Sequence, residues 1–125
     1  MSRFLLIALG GSLGALARYG VSFWIQERAS GALPYGTFIV NMTGCLVMGL
    51  VMTRLNEGGE VSVNWRFFVP VGFIGAYTTF SSFEFETFRL IQQGLPLAGL
   101  GYVVSSLILG YLALWLGVVM ARVFL

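Results

Sequence analysis

The stretch from Gly72 to Thr87 gathers the side chains of this sequence best suited to handling an ion. It reads Gly72-Phe73-Ile74-Gly75-Ala76-Tyr77-Thr78-Thr79-Phe80-Ser81-Ser82-Phe83-Glu84-Phe85-Glu86-Thr87, with glycines, hydroxyls, phenyl rings and two carboxylates inside an otherwise apolar run. Glycine and β-branched threonine both lower helix propensity, which predicts a local unwinding near Gly75 to Thr79. Backbone that leaves the helix at membrane depth persists only where it is buried in protein or lines a wet cavity. Its released carbonyls then become ligands, as in transporters with discontinuous helices. Beyond the unwinding, Thr79, Ser82 and Glu86 recur at helical spacing on one face, with Phe83 beside them. Ionisable groups inside a span are functional candidates by default. The plainer alternative for Glu84 and Glu86 is a hydrated span end, and for Phe80 and Phe83 it is ordinary packing. Their interleaving with hydroxyls weighs against packing alone.

The inventory excludes several chemistries. The chain has no histidine, and neither lysine nor aspartate occurs in it, so imidazole metal sites and Ser–His–Asp catalysis are ruled out. Gly10-Gly11-Ser12-Leu13-Gly14 matches a nucleophile elbow, but that motif needs a histidine base and a strand-to-helix turn. Asn41-Met42-Thr43 matches a glycosylation acceptor and falls inside an apolar span. The single cysteine, Cys45, has no partner for an intrachain disulfide. A net charge of +2 spread over isolated arginines makes no nucleic-acid patch.

These residues must be held by membrane helices. Hydrophobic residues make up 58% of the 125 and charged residues 10%, against about 25% charged in soluble domains. Mean hydropathy is +0.88. Runs of about 20 apolar residues are long enough to cross a bilayer, and they predict a single all-α domain of four spans, at about residues 4–25, 37–53, 67–88 and 95–124. Arg3, the apolar Phe4 to Leu9 and Ala15-Leu16-Ala17 imitate a cleavable leader. The apolar character continues through Ile25, which predicts a retained span. Trp24, Tyr35 and Trp65 fall near span ends, where amphipathic rings settle. Glu57 and Glu60, beside glycines, read as a solvated turn.

Four spans put Arg3, Arg54, Arg66 and Arg122 on one side. Arg28 and Arg89 lie on the other, with Arg18 near that end of the first helix. Arginine asymmetry sets orientation, and here it is nearly absent. Either other cues orient the chain, or it inserts both ways and pairs as an antiparallel homodimer. Small residues four apart, at Gly10 and Gly14, Gly101 and Ser105, and Ser106 and Gly110, prepare helix faces for close approach within one chain or between two.

Three blocks then carry a resemblance to the Fluc/CrcB family of fluoride channels. They are Gly10 through Tyr19 (GGSLGALARY), Gly36 through Gly44 (GTFIVNMTG) and Gly75 through Phe83 (GAYTTFSSF), in family order, with the third the most specific. The resemblance spans essentially the whole chain. It implies a dual-topology antiparallel dimer with two parallel pores and a broken third helix, sited as a multi-pass protein in a bacterial inner membrane. It implies a fluoride pore lined by Asn41, Thr79, Phe80, Ser81, Ser82, Phe83, Glu86, Tyr102 and Ser106. The Gly75 and Thr78 carbonyls match those that hold a structural, non-transported sodium ion. Gly110 and Leu114 stand where some members carry hydroxyls, and Glu84 where many carry serine.

Such a lining suits fluoride, which is small and tightly hydrated, so that donors must replace its lost water. Asn41 offers N–H groups, and Thr79, Ser82 and Ser106 offer hydroxyls. Phenyl rings are electropositive at their edges. Arg18 is better placed as an attractor in a vestibule than in a constriction, where it would hold the ion too tightly to release it. Passive fluoride export is expected, with no enzymatic activity and no nucleic-acid partner. The rival is a proton-coupled exporter resembling the small multidrug resistance family, which needs a carboxylate in the first helix. Here nothing acidic precedes Glu27.

Overall fold

The computed structural model describes residues 2–59 and 61–124; Glu60, read above as part of a solvated turn, lies outside them. Helix α1 runs Arg3–Arg28, α2 Tyr35–Glu57 and α6 Pro96–Phe124. Among the described residues these three helices are each long and apolar enough to cross a bilayer. At 1.5 Å per residue, the 26 residues of α1 reach about 39 Å, beyond a hydrocarbon core of about 30 Å. Helices α1 and α2 overrun the expected spans because polar end residues stay helical, and α6 matches its expected span to within one residue.

The passage expected at 67–88 is built in pieces. A short helix α3 (Val63–Arg66), whose first turn is capped by the Ser62 side chain, leads into a π-helical segment, Phe67–Ile74. Pro70 lies inside that segment; proline has no N–H to give and crowds the preceding turn, conditions under which a helix widens. Helix α4 is the single turn Gly75–Tyr77, and α5 resumes at Phe80–Gln92. Between them Thr78 (φ −78°, ψ 155°) and Thr79 (φ −146°, ψ 122°) are extended. Gly94, at φ 77°, turns the chain into α6, whose first residue, Pro96, is pre-set for a first helical turn.

Backbone proximity holds the pieces together. A Cβ on Gly10 or Gly14 would collide with the carbonyl oxygens of Phe68 and Phe73, and one on Gly49 or Gly117 with those of Leu114 and Leu46. The small residues of α1 are therefore used within the chain, against the π-helical segment, and α2 crosses α6 equally closely. A Cβ on Gly101 would meet nothing within 4 Å. Side-chain burial is correspondingly sparse. Val40, Ile74 and Leu90 are enclosed, while large apolar side chains from Phe4 to Phe124 face outward, as suits a protein dissolved in lipid.

The helix ends are tied by arginine. Arg28 donates to the Trp24 carbonyl (2.9 Å) and its guanidinium lies 4.1 Å from the centre of the Trp24 ring, a favourable place for a cation at a helix C-terminus. Arg66 donates to the Leu55 carbonyl and the Asn56 side chain, fastening α3 to the end of α2. Glu57 belongs to more than a free turn, since it pairs with Arg122 at 2.7 Å. Both partners are exposed, so the pair adds little to stability.

Candidate ion pathway

The break is organised by Asn41 on α2. Its Oδ1 accepts the Thr79 N–H (2.8 Å) and its Nδ2 donates to the Thr79 carbonyl (3.0 Å). One amide thus satisfies both backbone groups of an extended residue, which lipid would leave unpaired at a cost of several kcal/mol, on the order of that for any unsatisfied group in hydrocarbon. One of the Asn41 N–H groups expected to face an ion is therefore committed to the backbone, and the other remains.

The same bonds leave carbonyls behind. In an uninterrupted helix the Thr79 N–H would serve the Gly75 carbonyl and the Ser82 N–H the Thr78 carbonyl. Instead the Thr79 N–H goes to Asn41, and the Ser82 N–H goes to Thr79 Oγ1 (3.3 Å), which caps α5. The Thr79 hydroxyl donates to Ser82 Oγ (3.1 Å), so the Ser82 hydroxyl keeps its own proton available. Thr78 turns its hydroxyl back to the Ile74 carbonyl (3.2 Å), and its methyl lies against Gly44, where no Cβ would fit.

Past the cap, α5 carries an aromatic pair with unequal surroundings. Phe83 is 5% exposed and its ring makes a T-shaped contact with Tyr102 at 5.1 Å between centroids. Phe80, 5.8 Å from Phe83, is 72% exposed. Ser81 and Gly75 are also exposed in the single chain. One turn beyond Phe83, Glu86 receives the Thr37 hydroxyl on Oε1 (2.6 Å) and the Tyr102 hydroxyl on Oε2 (2.9 Å). A carboxylate this deep needs donors, and α2 and α6 each supply one. Ser106 lies one turn beyond Tyr102 on α6, half-buried.

An open groove of about 370 Å³ gathers some of these groups and leaves Asn41, Phe80, Ser81, Phe83, Tyr102 and Ser106 outside its lining. Arg18, Tyr19 and Ser22 of α1, Thr37, and Thr79, Ser82 and Glu86 line it. The Arg18 Nε is shielded from solvent and has no hydrogen-bond partner. The groove therefore presents a cation, hydroxyl donors and the Phe23 ring, together with a carboxylate already satisfied by other groups. It holds no nucleophile–base pair.

Five of its lining residues, Tyr19, Ser22, Phe23, Gln26 and Thr37, were not assigned to a site from the sequence. Thr37 looks like any helix threonine, and only the need of Glu86 for a donor could have pointed to it. Gln26 lies just past the apolar run that ends at Ile25, with nothing local to mark it. It donates to the Leu33 carbonyl (3.2 Å) and accepts the Gly36 N–H (3.2 Å), clamping the loop between α1 and α2 beside the groove.

Comparison with known proteins identifies relatives of the whole chain. Residues 5–118 match the family described as CrcB-like protein, Camphor Resistance (CrcB). A protein of Acidobacterium capsulatum named fluoride-specific ion channel FluC is 53% identical over 120 residues, covering 96% of each chain. A protein of the same name from Solibacter usitatus is 47% identical over 96% of this chain and 98% of its own. One from Chloroflexus aurantiacus is 41% identical over 99% and 98%.

Proposed function

The chain belongs to the CrcB-like family, and from that premise we propose that it is a fluoride channel of the membrane, passing fluoride passively down its gradient out of the cytoplasm. The observation that carries the reading is the reciprocal bonding of Asn41 to Thr79. It keeps the break intact and leaves one Asn41 N–H uncommitted near the Ser82 hydroxyl, with Phe80 and Phe83 following on the first turn of α5. Fluoride shedding water there meets neutral donors and ring edges that can release it again. Arg18, in the wall of the groove, attracts the anion.

Pairing follows from the surface. Gly75, Phe80, Ser81 and Glu84 are exposed on the broken passage, and loosened backbone with polar side chains is poorly matched to acyl chains. A second copy in antiparallel orientation covers this face and completes two pores, a reading to which the near-even arginine balance lends support. The carbonyls of Gly75 and Thr78, relieved of their helical N–H partners, suit a sodium ion. They are neutral oxygens, better matched to a monovalent cation than a carboxylate cage would be. When bound, that ion supplies a fixed positive charge beside the anion paths, while Asn41 and the Thr79 cap keep the carbonyls free for it.

Efflux of fluoride from liposomes containing only this protein, followed with a fluoride electrode, tests the reading. Fast fluoride release, much slower chloride release and indifference to a pH gradient are expected. Release driven by the pH gradient would favour a proton-coupled exporter, and absence of release would refute a channel.

A further inference from the structure

Next to the groove is a second open cavity of about 390 Å³, reaching from the loop between α1 and α2 to the end of α5. It shares Ser22, Gln26, Thr37 and Glu86 with the groove, and it adds Arg89 and Gln93. The two voids thus meet at the Glu86 carboxylate. An anion entering from the loop side encounters that carboxylate before it reaches the Ser82 hydroxyl.

We infer that Arg89 is the anion-collecting residue of this mouth, a role resting on the fluoride-channel reading above. Two arginines stand at this end of the chain, and they are used differently. Arg28 is folded onto the Trp24 ring and bonded to the Trp24 carbonyl. Arg89 borders the cavity, and among the described residues the ion pair within 4.0 Å is Arg122–Glu57, at the other end of the molecule. Arg89 is thus the cation lining this void, three residues beyond Glu86 on α5, and its charge offsets that of the carboxylate for an incoming halide. Gln26, committed at both ends to Leu33 and Gly36, braces the opposite wall. The ligand is a small hydrated anion, fluoride itself, met at the entrance before dehydration. Arg18 then receives it on the far side of Glu86.

Collection by a solvent-exposed charge acts on the rate of encounter and fades as salt screens it. The alternative, that Arg89 merely complements the dipole at the C-terminal end of α5, changes stability and leaves no such signature in flux. The test is initial fluoride efflux from liposomes holding the full chain, at sub-saturating fluoride. It is run at ionic strengths of about 0.01 M and 0.15 M, where the Debye length is about 30 Å and about 8 Å. Arg89→Gln should slow efflux about threefold to tenfold at the lower strength and converge on the unmodified chain at the higher. Arg89→Lys should keep the rate, and Arg89→Glu should fall below Arg89→Gln. Equal rates for Arg89→Gln and the unmodified chain at low ionic strength overturn the inference, as does an equal loss at both strengths that lysine fails to restore. If Arg89→Gln does not assemble, the unmodified chain decides: efflux that does not fall with ionic strength overturns it. Absence of efflux from the unmodified chain refutes the channel reading instead, so the two failures are distinct.

Discussion

Replacing Asn41 with alanine should close the break. The substitution removes the acceptor of the Thr79 N–H and the donor to the Thr79 carbonyl, bonds of 2.8 and 3.0 Å. Each orphaned backbone group costs about 1–3 kcal/mol, so the extended conformation loses about 2–6 kcal/mol. The lower bound alone shifts an equilibrium by a factor of about thirty. The competing state is available nearby, since the Thr79 N–H can return to the Gly75 carbonyl and continue the helix from α4 into α5. Hydrogen–deuterium exchange in a peptide spanning residues 74–82, measured in detergent, should change at Thr79 and Ser82 in Asn41→Ala. Fluoride efflux from liposomes should fall at least thirtyfold. Asn41→Asp retains the acceptor and should preserve the Thr79 amide protection while weakening flux. An Asn41→Ala variant with unaltered exchange and efflux within about threefold of the parent would refute the reasoning, because the break would then hold without its clamp.

The phenylalanines should separate flux from stability. Phe83→Ile removes a buried ring in contact with Tyr102 and should cost about 1–3 kcal/mol in thermal denaturation, whereas Phe80→Ile should stay within about 0.5 kcal/mol in the isolated chain; both should lower fluoride efflux. Tyr102→Phe and Thr37→Val each deprive one Glu86 oxygen of its donor, at about 1–3 kcal/mol. In a Glu86→Gln background the same changes should cost less, which a double-mutant cycle in detergent measures. Gly10→Ala or Gly14→Ala drives a methyl into a backbone carbonyl of the π-helical segment and should destabilise by about 1–3 kcal/mol or more. Gly20→Ala, with nothing within 4 Å of its added Cβ, should not destabilise.

What could be read from the sequence depended on how local its cause was. Propensity placed an unwinding between Gly75 and Thr79, and the chain is extended at Thr78 and Thr79; both facts concern neighbouring residues. The cap that Thr79 places on α5 is equally local in cause and went unread. The clamp on Thr79 comes from Asn41, 38 residues away, and no spacing rule joins them. Only its place in a family-like block singled Asn41 out, and that reading gave its N–H groups to the ion when one belongs to the backbone. Thr37 and Gln26 were passed over for the same reason, since each acts on a group brought close by the fold. The π-helical segment did have a local sign in Pro70, which the span reading absorbed as one more apolar residue. Gly10 and Gly14 were legible as a close-contact face, and what they touch was not, because hydrophobic patterning carries no address.

The most direct measurement is the current through the purified protein in a planar bilayer with fluoride on one side and chloride on the other. A passive fluoride pathway through the Asn41-held break predicts current that reverses near the fluoride equilibrium potential, and that is nearly abolished when chloride is the sole anion. A reversal set by chloride or by the proton gradient, or a membrane that stays silent in fluoride, would contradict it.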